Sequence, residues 1–481
     1  MIFNKVKLLS AILILSVSIA ISSCEKFVDI KKTSGQGVAD NVNNCQAILD
    51  TYGTMNFGYP IDGEASADDY YVNDAGFLLS SVTQTDRDLY TWAPGAIRPL
   101  ALPQWQNPYK VIFCANLVLE AVDKLKSGDA DKSILNRLRG SALFFRAYSF
   151  WQVAQLYAKP YSSSTSNQDP GIPLKESSDI NDKSVRGTVA LTYEHVIKDL
   201  TEASQLLENT SALPFRPNKA AAFAMLARVY LSMENYTNAL TSANYALSIN
   251  NKLLDYNSSK ISKTSSTPFS PRFNDEVIFH SVMVSIPILN PGTGSSNVAK
   301  IDPALVASYA ANDLRKQVFL KLNTGANAGT YRFSGNYEGT SSATLFNGLA
   351  TDEVYLIRAE CLARTGDIGS ALADLNTLLV NRWIKDANGN TTYVNMSKTD
   401  PATDTQDEVL AKVLDERRKE LLMRGLRWTD LRRLNKDPKF AKTLSRSALG
   451  TTYTLPPDDP RYVLLIPQEV ITNSEIAQNV R

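Results

Sequence analysis

Apolar residues recur three and four apart over residues 105–125, 133–157, 188–207 and 408–423, and this spacing predicts four long amphipathic helices. Two further stretches share one register. "FAMLARVYLSMENYTNALTSANYAL" places Phe223, Leu226, Ala227, Tyr230, Tyr236, Ala239, Ala243 and Ala246 on the large and small positions of a tetratricopeptide helix pair. "YLIRAECLARTGDIGSALADLNTLL" puts Tyr355, Ala359, Leu362, Ile368, Ala371, Leu375 and Leu378 at the same offsets, with Thr365, Gly366 and Asp367 as the turn. Alanine at a crossing lets two helices approach closely, while aromatic and leucine side chains fill the grooves between pairs.

Between these helices the pattern changes. Residues 58–103 are rich in Gly, Pro, Asp, Tyr and Trp, and residues 257–337 in Ser, Asn, Gly and Thr, including "PGTGSSN" and "NTGANAGTYRFSGNYEG". Neither has helical periodicity; irregular segments this long in a compact domain are usually functional or disordered, and their aromatic residues argue against disorder. "DEVIFHSVMVS", residues 275–285, alternates enough to predict a short strand. The predicted fold class is therefore mainly α, a tetratricopeptide-like helical repeat scaffold with long irregular loops and a few short strands.

The first residues read as an address. Lys5 and Lys7 precede a nearly unbroken apolar run, residues 8–21, as in an export signal. About fourteen residues span only ~21 Å as a helix, short of the ~30 Å hydrocarbon core, so the run is a removable signal rather than a transmembrane anchor. Ser22 and Ser23 lead directly into Cys24, the pattern of a lipoprotein processing site, although Ile21 stands where Leu is usual. Cys24 is the expected lipid attachment point and first mature residue. This gives a signal peptide over 1–23 and a single domain over 24–481, divided into an N-terminal helical part with ligand loops (24–250), a loop-rich insert (251–345) and a C-terminal helical part (346–481).

Composition narrows the chemistry. The chain is 44% hydrophobic and 9% aromatic, ordinary for a globular fold. Fifty basic residues face 49 acidic ones, and loss of Lys5 and Lys7 with the signal leaves 48 against 49, so nothing points to nucleic acid. Cys45, Cys114 and Cys361 are far apart and odd in number, which argues for buried apolar thiols rather than a disulfide framework. The two histidines, His195 and His280, leave little for a His-based mechanism, and His195 in "TYEHVIKDL" reads as structural. No nucleophile elbow, zinc motif, P-loop or dinucleotide fingerprint occurs, so no catalytic residue, metal or cofactor is assigned. "DANGN", residues 386–390, has calcium-like oxygens without an EF-hand's distal Glu, and reads as a turn.

Several blocks then occur in a telling order: "SCEKFVDI" after the signal, "WQNPYKVIFCANLVLEAVD" from Trp105, "LRGSALFFRAYSFWQVAQLYAKP" from Leu138, "GIPL" at Gly171, and "RPNKAAAFAMLARVYL" from Arg216. "TDEVYLIRAECLARTGDIGSALADLN" from Thr351, "DERRKELLMRGLRWTDLRRLN" from Asp415 and "LLIPQEVITNSEIAQN" from Leu464 follow. Together they resemble the SusD/RagB family of outer-membrane, surface-facing nutrient-binding lipoproteins. Lys31 and Lys32, Arg424 before Gly425, and the ending at Arg481 depart from the family pattern. The individual residues have plainer physical readings. Asp415 and Lys419 lie four apart, which predicts a solvated, salt-bridged helix end with Gly425 as its cap. Trp105, Tyr109 and Ile112 lie at core spacing.

The resemblance implies a non-enzymatic lipoprotein on the outside of the outer membrane that binds an oligosaccharide and delivers it to a SusC-like TonB-dependent transporter. Sugar rings offer apolar C–H faces rimmed by hydroxyls, so the site should combine aromatic platforms with short polar side chains. "ADDYYVND" supplies Asp68, Asp69, Tyr70, Tyr71, Asn73 and Asp74; "RDLYTWAP" supplies Arg87 and Trp92. By region, the family's second contact zone falls around Tyr331, Phe333 and Tyr337. The expected ligand-binding set is Asp68, Asp69, Tyr71, Asn73, Arg87, Trp92 and Tyr331. Peptide capture suits the same architecture, a glycoside hydrolase would need carboxylates such as Asp69 for turnover, and a pure scaffold would bind partner protein but no small ligand.

Overall fold

A computed structural model describes residues 39–481 except 127, 129, 130, 341 and 342. The signal segment and Cys24 lie outside the described residues. The scaffold helices are α1 (Gln106–Leu125), α2 (Lys132–Tyr157), α3 (Val189–Leu206), α4 (Lys219–Ser232), α5 (Tyr236–Ile249), α6 (Thr351–Arg364), α7 (Ile368–Leu379), α8 (Gln406–Glu420) and α9 (Arg427–Leu434). Each of α1 to α6 packs on the next, and α6 also meets α7 and α8. The row is the stack of paired helices that the sequence pattern predicts.

The two repeat copies are built alike at their turns. Glu234 and Gly366 take positive φ, 61° and 92°, and the next N–H, of Asn235 and Asp367, reaches back to Tyr230 O and Leu362 O at 2.9 Å in each copy. This ends the first helix of each pair by a left-handed cap. Asn235 and Asp367 then start the second helix, accepting the Asn238 N–H at 3.2 Å and the Ser370 N–H at 3.1 Å. Ala227, Ala239, Ala359 and Ala371 are fully buried where the helices cross.

Short strands tie the irregular regions to this stack. In chain order they are β1 (Phe57–Tyr59), β2 (Tyr70–Tyr71), β3 (Pro170–Pro173), β4 (Arg186–Thr188), β5 (Val277–Phe279), β6 (Val282–Met283), β7 (Lys300–Ile301), β8 (Leu320–Leu322), β9 (Tyr331–Phe333), β10 (Leu349–Ala350), β11 (Leu444–Ala448) and β12 (Thr451–Leu455). They pair two by two: β1 with β6 in parallel, and β2 with β7, β3 with β4, β5 with β10, β8 with β9 and β11 with β12 antiparallel. The strand predicted over 275–285 is two, β5 and β6, interrupted at the buried His280 and Ser281.

Two expectations need correction. Residues 58–103 do contain helix, Asp62–Ser66, Asp74–Phe77 and Gln84–Tyr90, each too short for a 3.6-residue period to repeat in the sequence. The segment from Asp415 is not a solvated helix end. Glu416, Glu420, Arg417, Lys419 and Arg424 are all buried, and Lys419 pairs with Glu416 at 2.5 Å rather than with Asp415. Its other partners come from distant chain. Arg315 meets Asp313 (2.7 Å), Glu416 (2.6 Å) and Glu420 (3.0 Å), and Arg382 meets Glu420 (2.8 Å) and Glu276 (2.7 Å), all with fully buried side chains. Mutual pairing is what makes so many buried charges tolerable. The network fastens the 251–345 insert to the C-terminal helices.

Candidate ligand-binding face

The two irregular regions, distant in sequence, form one surface. Tyr70 pairs with Ile301 and Tyr71 with Lys300 across β2 and β7, and the Asp302 N–H donates to Asp69 O at 2.9 Å. β7 also packs on β9, whose Tyr331 stands opposite Leu322 of β8. Asparagine carboxamides sew the insert together behind these strands. Asn297 donates to Pro291 O (3.0 Å) and Ala299 O (2.7 Å), Asn323 donates to Asn297 Oδ1 (2.9 Å), and Asn327 donates to Ser295 O (2.9 Å). The Gly- and Ser-rich runs are therefore ordered by their own polar side chains, as backbone groups without a regular ladder require.

Of the expected ligand residues, Tyr71, Asn73, Arg87 and Tyr331 fall on adjoining elements of this surface. Tyr71 and Tyr331 are half-buried. Asn73 is exposed; its Oδ1 caps Asp74–Phe77 by accepting the Gly76 N–H at 3.0 Å. Arg87 lies over the Phe77 ring and donates to Phe77 O (2.8 Å) and Leu79 O (3.1 Å), holding the turn after that helix. Asp74 accepts the Leu449 N–H at 2.8 Å, which brings the β11–β12 turn to the same edge. Leu78, Leu79 and Leu449 are 59%, 42% and 50% exposed and give the edge an apolar rim.

Asp68, Asp69 and Trp92 lie behind it. Asp69 is 1% exposed and meets Arg418 at 2.8 Å; Asp68 meets Arg427 at 2.6 Å and Lys442 at 2.9 Å. Burial works against ionisation of Asp68, but Arg427, Arg418 and Lys442 together hold it well below the usual carboxylate range. Trp92 is 3% exposed, donates its indole N–H to Ser66 O at 2.9 Å and lies 4.8 Å from the Arg446 guanidinium. Its ring is not presented as a platform, because β11 covers it with a residue more than three hundred positions along the chain. Phe333 and Tyr337 are likewise buried, Tyr337 beneath Arg424 at 3.9 Å with its hydroxyl donating to Glu276 at 2.5 Å.

The remaining chemistry is structural. His195 Nδ1 lies 2.6 Å from Glu176, and His280 is buried with Nδ1 3.1 Å from the Tyr52 hydroxyl. Cys45, Cys114 and Cys361 are free thiols, the first and last buried and Cys114 half-buried. Asp386 accepts the N–H groups of Asn388 and Asn390 at 2.9 Å each, with Gly389 at φ 84°, so "DANGN" is a turn. Among the described residues no group of His, Cys, Asp and Glu is arranged to hold a metal ion, and no helix is long and apolar enough to cross a membrane.

Two concavities share no lining residue with Tyr71, Asn73, Arg87 or Tyr331. One of about 580 Å³ lies between the segment after α2, the end of α9 and the last residues of the chain; another, of about 350 Å³, runs beside Trp105 and Tyr109 of α1. Trp105 and Tyr109 stack at 5.0 Å, and Ile112 is fully buried below them. Sequence reasoning found neither concavity, since their walls come from segments that carry no shared motif.

Residues 26–231 match a SusD-like family model described as starch-binding and associating with the outer membrane, and residues 350–476 match the SusD family model. The chain belongs to the SusD/RagB family. It is 27% identical over 146 residues to SusD-like protein P2 of Formosa agariphila, a match covering 30% of this chain and 26% of that protein, so the chain spans about a quarter of the length of that curated relative. A SusD superfamily protein of Bacteroides thetaiotaomicron shares its fold at a TM-score of 0.71 and 21% identity, covering 92% of this chain and 100% of the other. A SusD-like carbohydrate binding protein of Bacteroides vulgatus superposes at 0.65 with 17% identity, covering 90% and 97%. A laminarin binding SusD-like protein gives 0.62 with 17% identity and the same coverage. The mainly α fold predicted from the repeats, and implied to be SusD-like by the resemblance, is the fold observed.

Proposed function

We propose that this SusD/RagB protein captures a nutrient oligosaccharide on the face formed by β2, β7 and β9 and passes it on without altering it. The observation that carries the reading is the juxtaposition, through β2–β7 pairing and β7–β9 packing, of Tyr71 and Asn73 with Tyr331. Two half-buried aromatic rings offer surfaces for sugar C–H faces, and the Asn73 amide offers donors for hydroxyls. Arg87 fixes the turn beside them. The laminarin-binding and carbohydrate-binding neighbours support a glycan as the ligand class.

In this reading Cys24 carries the lipid that anchors the protein at the outer membrane, facing outward, and a SusC-like TonB-dependent transporter receives the ligand. A tether raises effective concentration to the millimolar range, so even a site of about −4 kcal/mol can serve while still releasing its cargo. The test is calorimetry of the mature protein against a panel of oligosaccharides and peptides, with chromatography of the mixtures afterwards. An oligosaccharide should bind, Tyr331→Ala should weaken it, and the sugar should be recovered intact. Binding only by peptides, or release of shortened sugar, would refute the proposal.

A further inference from the structure

The cleft of about 580 Å³ shares no residue with the β2–β7–β9 face and has the size of a small-molecule site, roughly 300–1,000 Å³. Its walls are set by ion pairs: Lys159 with Asp169 at 2.7 Å, Lys436 with Glu234, and Arg461 with Asp459 at 2.6 Å. Those charges cancel within each pair. Two remain. Among the described residues Arg432, 4% exposed, donates only to the carbonyls of Gln155 and Ala158 at the end of α2, and Asp458, exposed, forms no ion pair. One positive and one negative group leave the cleft with no net charge to draw in an ion.

Among the described residues, its lining includes buried polar atoms that make no hydrogen bond of ordinary geometry. The Tyr462 hydroxyl, Asn435 Nδ2 and Arg432 Nε are buried without a hydrogen bond of ordinary geometry, although Tyr462 and Asn435 lie side by side. All three residues line the cleft and all are more than nine-tenths buried. Burying such groups unpaired is unfavourable unless something supplies the missing partner. Around them stand Pro160, Pro170, Pro460 and Val463, flat apolar surfaces of the kind a sugar ring's C–H face covers.

We infer that this cleft is a second saccharide site, taking a short neutral oligosaccharide whose hydroxyls reach Tyr462 and Asn435 and whose ring faces lie on the proline wall. It shares the ligand class proposed for the loop face but none of its residues, so either can fail alone. A reporter is built in: Trp428 lies under Tyr462, ring centroids 4.8 Å apart.

The experiment labels the full mature chain with 5-fluorotryptophan and follows ¹⁹F resonances while adding neutral hexasaccharides: laminari-, cello-, malto-, xylo- and mannohexaose. Trp428→Phe assigns the signal, and the buried Trp151 serves as the folding control. At least one sugar should shift Trp428 saturably. That shift should persist in Tyr331→Ala, disappear in Thr165→Phe, which fills the cleft from its exposed rim, and need about 3- to 10-fold more sugar in Tyr462→Phe, the loss of one hydrogen bond. No Trp428 response to any neutral sugar, a response that vanishes with Tyr331→Ala, or a response confined to acidic oligosaccharides or peptides would each overturn the inference.

Discussion

Arg418 Nε donates to Asp69 Oδ1 at 2.8 Å, and the backbone carbonyl of the same aspartate accepts the Asp302 N–H at 2.9 Å. One residue thereby joins a C-terminal helix, the N-terminal irregular region and the insert. The proposed face is held from behind by charge, and a residue whose type suits sugar binding is spent on assembly.

The first prediction follows from that placement. Breaking a buried pair by removing one partner costs about 3–5 kcal/mol, so Arg418→Met should lower the urea midpoint strongly. Asp69→Asn, which keeps an acceptor in place, should cost about 1–3 kcal/mol. Ligand affinity of the folded fraction should stay within about twofold in both. Unchanged stability with lost affinity would return Asp69 to the ligand site.

Trp92 and Tyr331 should separate stability from binding. Trp92→Ala empties a buried aromatic site and should cost about 3–5 kcal/mol. Tyr331→Ala should cost about 1 kcal/mol in stability and weaken oligosaccharide binding about tenfold, ~1.4 kcal/mol. Thermal melts and calorimetry on the two variants decide; the reverse pattern would place the platform at Trp92.

His280 should show in the acid limb of stability. Burial first, and then the nearby Arg272 charge, push its imidazole down to about 3. Its folded value is below the unfolded ~6.5, so the unfolded chain gains a proton first as pH falls. The stability that the neutral ring contributes is complete above about pH 6.5 and is lost progressively toward pH 3, by about 5 kcal/mol at most. His280→Phe keeps a ring against Phe273 and Phe346. Chemical denaturation from pH 7 to pH 4 should give a shallower decline for this variant than for the parent, and parallel declines would contradict the assignment.

Gly171, the first residue of "GIPL", is needed for contact rather than for flexibility. A Cβ there would meet Thr188 O at 2.3 Å and Thr192 Oγ1 at 2.4 Å, between β3 and the start of α3. Gly171→Ala should cost about 1–3 kcal/mol as an overpacked site, measurable as a lowered melting temperature. A variant as stable as the parent would show that the β3–β4 pairing yields freely.

The helical stack was legible because its signals are local. Alanine at Ala227 and Ala359, and the turn at Thr365, Gly366 and Asp367, fall within one helix pair. The irregular regions were legible by the absence of that period. What no local pattern could carry was which side of a residue faces solvent. Trp92 and Asp69 have the composition of a sugar site, and only Arg446 and Arg418, far along the chain, place them inside. The same holds for Glu416 and Glu420, whose spacing fits a solvated helix until Arg315 and Arg382 arrive from the insert and its flank. Tyr71, Asn73 and Tyr331 reached one surface because β2 pairs with β7, a register no single segment encodes.

Hydrogen exchange of the mature protein, with and without a saturating oligosaccharide, tests most directly whether the two irregular regions form one ligand face. Protection should rise together in peptides spanning residues 70–81 and 322–333, while α4 to α7 exchange as before. Protection confined to one of the two segments, or found in neither while calorimetry reports binding, would contradict the account.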